Sequence, residues 1–337
     1  MSEVARRAGV STATVSRVLS GPAESVRVET RDKVMRAVAE TGYFPNRLAR
    51  NLRERSARIF ALVISDIGNP FFTAIVRGCE DTARARGYSV IIANTDEMPD
   101  LESQRLLDMV AEGVAGVVLA STGENNQGLE QVARSGIPIV ALDRRIGGLE
   151  LDTVTTDGAR GAHEAVDCLA RTGHRQIAMI GGPTEISTMV ERRAGYERAL
   201  REHGIGLDPG LVRLGDLKEE SGHRMTLELL DLPEPPTALF VANNLMAVGT
   251  LKAIAERDLT IPNDLSIVCF DDFPASELIR PGIAALVQPT YELGVAAAEL
   301  LLRRIAEPDV PVREVVLAAQ LAVRGSIGAP RGRLPGD

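Results

Sequence analysis

The chain has no stretch of about 18 consecutive apolar residues, so no segment is suited to span a bilayer. Its first residues are polar and charged rather than those of a secretion signal, which predicts a protein that stays in the cytoplasm. Cysteine is scarce: Cys79, Cys168 and Cys269 are odd in number, far apart and set in apolar or helical patterns. That excludes a disulfide framework and a thiolate metal site, and reads as three reduced core residues. The four histidines lack ligand spacing, and His163, His174 and His203 read as helix-surface or helix-end residues. Nucleotide signatures are missing too: the Gly181-Gly182-Pro183 turn is not GxGxxG, and no GxxxxGK[ST] occurs. Adjacent carboxylates such as Asp271-Asp272 point in different directions and no nucleophile accompanies them, so acid-base chemistry has no support. No enzyme activity, cofactor or metal is expected.

What is present is a large apolar fraction, 45% of 337 residues, enough for a substantial core divided over two or three domains. The net charge of -8 argues against a protein that coats nucleic acid, but it conceals a division. Residues 1–58 hold twelve Arg/Lys against six Asp/Glu, net +6, which leaves -14 for the remainder. Only a small basic head is suited to a phosphate backbone.

Within that head, the stretch from Ala8 to Leu19 has a turn and a second helix. Gly9 takes a positive φ without steric cost and ends the helix running from Ser2 to Ala8, and Ser11 is placed to cap the next one. Val15, Val18 and Leu19 then fall on one side at helical spacing, with Thr12, Ala13, Ser16 and Arg17 on the other. Small side chains let such a helix approach a major groove, and a guanidinium one turn on can bond guanine bidentately. An ordinary αα-hairpin with a glycine turn is the alternative. A third helix, Thr30 to Thr41, stops at Gly42. Residues Pro45 to Arg53 begin like a capped helix with room for only two turns, too short to be stable unaided. A charged linker with Leu52 docked on the body is the other reading of that segment.

From Ile59 the pattern becomes short apolar runs alternating with amphipathic helices. Ile59 to Ser65, Tyr88 to Thr95, Val114 to Ser121 and Ile137 to Asp143 read as parallel strands buried on both faces. A second series follows at Gln176 to Gly182, Leu211 to Gly215, Ala238 to Asn244 and Ser266 to Asp272. Two βα series predict two doubly wound lobes with ligands at the carboxyl ends of the strands. Ala284 to Pro289 and Val312 to Ser326 read as strands that cross between them. The strand ends collect Asp66, Asn69, Asp143, Arg144, Asp157, Asn243, Asn244, Asp271 and Asp272, groups able to hold a hydroxyl-rich ligand, although capping is a competing role for Asp66 or Asn69. The tail from Ala329, rich in Gly, Pro and Arg, is expected to be disordered and carries no leucine heptads.

The segment EVARRAGVSTATVSRVLSG resembles the DNA-binding head of the LacI/GalR family of bacterial transcription regulators, and the likeness extends over nearly the whole chain. Family members have a few more residues before the first helix, so either the start lies upstream or helix 1 lacks a proper cap. The resemblance implies an all-α helix-turn-helix head (1–45), a hinge helix and linker (46–57), and an α/β two-lobed periplasmic-binding-protein-like body (58–328). Its N-lobe would comprise about 58–157 and 290–317 and its C-lobe about 158–289 and 318–328, with 329–337 as tail. By position, Thr12, Ala13 and Arg17 would read bases, and Ser11, Thr14 and Ser16 would contact phosphates. Paired hinge helices would enter the minor groove, with Leu52 as a wedge between base pairs and Asn46, Arg50 and Arg53 as neighbouring contacts. For the ligand, Phe71 and Phe72 would line the pocket with Asp143, Ile186 and Thr188, joined by Arg192, Leu217, Asn244 and Asp271; Phe71 and Phe72 read equally well as core. The sequence departs from the family where Asn243-Asn244 replaces an Asn-Asp pair. The expectation is a homodimeric repressor on a near-palindromic operator, controlled by a sugar or related metabolite. A cytoplasmic solute-binding module with a partner-docking head, or an enzyme using the cleft, are the competing readings.

Overall fold

The computed structural model describes residues 1–20, 26–43, 58–123, 127–274 and 276–330. The chain divides into two compact units, Met1–Ala57 and Arg58–Asp337.

In the first unit, α1 (Ser2–Ala8) ends at Gly9, which adopts φ 66° and ψ 33°. This left-handed step lets the Val10 N–H reach the Ala5 carbonyl at 3.0 Å and turns the chain sharply. Met1 occupies the N-cap of α1 without a side-chain cap bond. Next, α2 (Thr12–Ser20) starts where Ser11 Oγ accepts the Thr14 N–H at 3.1 Å, a cap that fixes the helix entry. The third helix, α3 (Val28–Thr41), stops at a left-handed Gly42. Val4, Val15 and Val34, one from each helix, are fully buried together, with Ala8, Val18 and Ala37 around them.

The second unit holds two six-stranded sheets. The N-lobe sheet is formed by β1 (Ile59–Ile64), β2 (Ser89–Asn94), β3 (Gly116–Leu119), β4 (Ile139–Leu142), β5 (Asp152–Thr156) and a late strand, β11 (Glu314–Leu317). Their spatial order is β2-β1-β3-β4-β5-β11, and every pairing is parallel. The C-lobe sheet comprises β6 (Ile177–Gly181), β7 (Val212–Leu214), β8 (Ala238–Val241), β9 (Ser266–Phe270), β10 (Ala284–Val287) and β12 (Gln320–Ala322). It repeats the order as β7-β6-β8-β9-β10-β12, with only β12 antiparallel. The largely apolar runs of β3, β4, β8 and β9 are buried at every position, as central parallel strands require.

Two strands depart from the sequence reading. β2 is not buried on both faces: it is the sheet edge, and Ser89 and Ile92 are exposed. β5, Asp-Thr-Val-Thr-Thr, was not anticipated because it lacks an apolar run. Its threonines are β-branched, and the buried Asp152 is held by Arg304 at 2.8 Å, so a polar strand occupies an interior position.

Helices α4 (Pro70–Ala85) and α11 (Thr290–Ala306) pair in the N-lobe, where α5 (Pro99–Ala111) also packs on α6 (Gln127–Ser135). In the C-lobe α7 (Gly158–Arg171) packs on α8 (Ser187–Glu202), and α9 (Glu219–Leu230) on α10 (Asn244–Glu256). The α9–α10 pair approaches closely because Gly249 presents no Cβ to the Glu219 carbonyl. The chain passes between the two sheets three times, after β5, after β10 and between β11 and β12. In each sheet the order reverses beside the first strand of its series, which opens a crevice at the carboxyl ends where loops can gather.

Candidate functional site

The two crevices face each other as one narrow, nearly closed cleft with about 30 Å³ of free space between its walls. Its N-lobe wall carries Asp66, Asn69, Phe71, Phe72, Glu97, Asp143 and Arg144. The C-lobe wall carries Thr188, Met189, Arg192, Leu217, Lys218, Asn243, Leu245 and Asp271. Backbone strain concentrates here. Of the six described non-glycine residues with positive φ, four line the cleft: Glu97, Asp143, Leu217 and Asp271. Left-handed backbone costs about 1–3 kcal/mol per residue, and surrounding structure must hold it.

Arg192, on α8, is 3% exposed. Its Nη1 donates to the Ala242 carbonyl at 2.6 Å and lies 3.5 Å from Asp271 Oδ2, while the guanidinium stacks 3.8 Å over the Phe270 ring. Gln288, at one of the crossings, accepts from Thr156 Oγ1 at 2.5 Å and donates to Asp271 Oδ1. Burial pushes the Asp271 carboxyl up, with Arg192 and Gln288 opposing the shift. Burial likewise pushes Asp143 up to about 6, against the attraction of Arg144 and Arg192. Arg144 forks onto Glu97 at 2.6 and 2.7 Å and donates to the Ser121 carbonyl at 2.8 Å.

Side chains also bridge the lobes. Lys218 Nζ donates to Asp66 Oδ2 at 2.7 Å, Asn244 Nδ2 to Asn69 Oδ1 at 2.9 Å, and the Arg145 N–H to Ser187 Oγ at 2.9 Å. The Arg145 guanidinium pairs with both Glu191 and Glu314. Burial acts to lower the Lys218 pKa, but its bond to Asp66 raises it overall and keeps the ammonium charged.

Of the ligand residues proposed from sequence, the cleft brings together Phe71, Phe72, Asp143, Thr188, Arg192, Leu217 and Asp271. Phe71 and Phe72 serve both readings: they line the cleft and belong to the N-lobe core, edge to face at 5.0 Å. Ile186 and Asn244 are not on the wall. Ile186 is the N-cap of α8 and packs into the C-lobe core, and Asn244 gives its Nδ2 to Asn69 while its Oδ1 is buried without a partner. Asn69 is indeed a cap, accepting from the Phe71 N–H. Glu97 and Lys218 were missed. Glu97 lies just beyond β2 in the polar run Asn94-Thr95-Asp96-Glu97, a strand-end signal equal to the others. Lys218 had none beyond its place after Leu217.

On α2, Thr12, Ala13 and Arg17 are exposed, as is Ser11, whereas Thr14 and Ser16 are half-buried. Ser11 Oγ is also within 2.9 Å of Thr14 Oγ1, so its cap occupies part of its bonding capacity. Asn46, Arg50, Leu52 and Arg53, with the proposed hinge helix, lie outside the described residues. His163, His203 and His223 pair with Glu202, Asp167 and Glu256. His174 corrects the surface reading: it follows a helix end but is buried, bridging Thr237 Oγ1 at 2.9 Å and the Gly328 carbonyl at 2.8 Å. No helix among the described residues is long and apolar enough to cross a membrane.

Residues 1–46 match the family model for bacterial regulatory proteins of the lacI family, and residues 166–327 match a periplasmic binding protein-like domain. The chain is 35% identical to the HTH-type transcriptional repressor CytR of Escherichia coli (strain K12), covering 98% of this chain and 96% of that one. Among solved structures it is similar to a complex of the transcriptional regulator CelR with cellobiose, at 33% identity and TM-score 0.75, covering 96% of this chain and 98% of that one. It is also similar to the Lac repressor dimer bound to operator and the anti-inducer ONPF. There the identity is 28% and the TM-score 0.84, over 97% of this chain and 98% of that one.

Proposed function

The chain belongs to the LacI family of bacterial regulatory proteins and is a DNA-binding transcription regulator, and from that premise we propose a homodimeric repressor released or engaged by a small metabolite held between its lobes. Two copies of the head, residues 1–45, would occupy the half-sites of a near-palindromic operator, since a two-fold protein matches a two-fold site. The residues assigned to 46–57 would join each head to a body of 58–328, with 329–337 as a tail. Operator DNA places this work in the cytoplasm.

The observation that carries the DNA reading is the exposed face of α2, where Thr12, Ala13 and Arg17 project from a helix whose opposite side is locked by Val15 and Val18. Arg17 is the base-reading cation of that face, with Ser11, Thr14 and Ser16 oriented to phosphates. Arg17→Ala is expected to cost about 1–3 kcal/mol at one operator position while nonspecific binding stays nearly intact. Fluorescence anisotropy on operator and random duplexes checks this, and an equal loss on both would remove Arg17 from base reading.

The effector reading rests on one cleft walled by residues of both lobes. A ligand touching both walls favours one lobe arrangement, and shifts DNA affinity only by the difference between its affinities for the two states. Carboxylates and amides beside aromatic and aliphatic walls suit a sugar or related metabolite, the class to which the cellobiose bound by CelR belongs. Asp143, Thr188, Arg192 and Asp271 would supply its hydrogen bonds and Phe71, Phe72 and Leu217 its walls.

A further inference from the structure

The cleft's charges are not interchangeable. Four carboxylates line it, on Asp66, Glu97, Asp143 and Asp271, against three cations, Arg144, Arg192 and Lys218. Each cation is already matched: Arg144 by Glu97, Lys218 by Asp66, and Arg192 by Asp271. Asp143 is the remaining acid. Its Oδ2 comes no nearer than 3.6 Å to Arg144 Nε, and its Oδ1 is buried without a hydrogen-bond partner. Arg192 Nε is the complementary case, a buried donor without an acceptor, on a guanidinium whose charge Asp271 already balances. Arg144 Nε is buried without an acceptor as well, so the described wall offers one open acceptor, two open donors and no unmatched positive charge. Hydroxyls, which donate and accept, suit both kinds of group. A phosphate or carboxylate would bring further negative charge to a wall whose cations are committed, where low dielectric makes like-charge repulsion costly.

On this ground, and resting on the sugar-type effector reading above, we propose that the cleft selects an uncharged, hydroxyl-rich ligand and refuses its phosphorylated or carboxylated counterparts, with Asp143 setting that selectivity by accepting a ligand hydroxyl. The groups facing Asp143 are Arg144 on its own loop, Arg192 from α8, Asp271 from the end of β9 and Glu97 from beyond β2. Their balance leaves its carboxyl half-protonated at about pH 6. An ionised Asp143 accepts the hydroxyl in a charge-assisted bond, whereas a protonated one accepts it more weakly through its remaining carbonyl oxygen. Affinity for the neutral ligand is therefore highest above that pH and falls below it to the level of the neutral acceptor, about tenfold lower in all.

The test uses the full chain and matched probes: ribose with ribose 5-phosphate, and glucose with glucose 6-phosphate and glucuronate, by thermal shift and calorimetry in wild type and Asp143→Asn. Asparagine tolerates the left-handed backbone of position 143, so the variant should fold. We expect a neutral sugar to bind, its charged partners to bind at least tenfold more weakly, and Asp143→Asn to weaken the neutral sugar about tenfold. A charged partner that binds as well as its neutral form would overturn the selectivity while leaving a sugar effector standing. Failure of every probe would count against the sugar reading itself. A measurement without sugar decides the rest: the carboxyl carbon of Asp143, assigned by its absence in Asp143→Asn, should titrate at about 6 by NMR. A midpoint in the ordinary carboxylate range would mean that Asp143 is already solvated or paired, and would end the proposal.

Discussion

Truncating Arg192 to alanine is expected to destabilise the body by about 3–5 kcal/mol and to abolish effector binding. The size follows from burial. Arg192 sits within a wall that also holds the carboxylates of Asp143 and Asp271, and its removal leaves Asp271 buried beside another acid with only Gln288 to support it. It also strips the Ala242 carbonyl of its donor and the Phe270 ring of its cationic partner. Some of the loss will be recovered by proton uptake, since both carboxyls are already pushed up by burial. A carboxyl whose folded pKa is raised binds protons more readily in the folded state, so the variant should regain stability as pH falls through about 6 toward the unfolded carboxylate range near 4. Urea denaturation at pH 7.5 and 5.0 checks both points. A variant as stable as wild type at both values would mean that water, not Arg192, sustains these acids.

Arg144→Ala should be nearly as damaging, about 3 kcal/mol, by a different route. Arg144 is buried in the cleft wall, and its fork on Glu97 and bond to the Ser121 carbonyl tie the loop after β4 to the ends of β2 and β3. That loop has Asp143 on one side of Arg144 and Arg145, which bridges to the C-lobe, on the other. Loss of the fork releases Asp143, the proposed ligand contact, and a lobe bridge together. Glu97 is slightly open to the cleft and can rehydrate, which places the cost at the lower end of the range for breaking a buried pair. The double variant Arg144→Met with Glu97→Gln removes both charges and should recover about half of the loss. Strict additivity of the two single effects would show that the pair is not coupled.

Much of this architecture was legible because parallel strands buried on both faces produce runs such as Ile59 to Ile64 and Ala238 to Val241 that are difficult to read otherwise. Where side chains made ion pairs instead of apolar contacts, periodicity was silent. β5 escaped notice because Asp152 is satisfied by Arg304, 152 residues away, a pairing that no local pattern contains. The cleft followed the same rule. Arg192 and Asp271, which line the cleft, were proposed through a family likeness, and Asp143 because it ends a strand. Ile186 was placed on the wall by the same family likeness, on a loop with Thr188, although the turn into α8 sends it into the core. Asn244 has the composition of a ligand residue, but its amide is committed to Asn69 across the lobes. Lys218 could not be singled out, since one lysine after a strand carries no mark until Asp66 is opposite it.

Coupling between cleft and head is the proposition on which the functional account depends, and a single reciprocal titration addresses it. With full-length protein, the affinity of the cleft ligand is measured with and without saturating operator duplex. The account predicts that duplex changes ligand affinity by at least about fivefold, and that ligand changes duplex affinity by the same factor in the same direction. Identical ligand affinity in the presence and absence of duplex would contradict it, leaving a DNA-binding head and a ligand-binding body in one chain with no regulation between them.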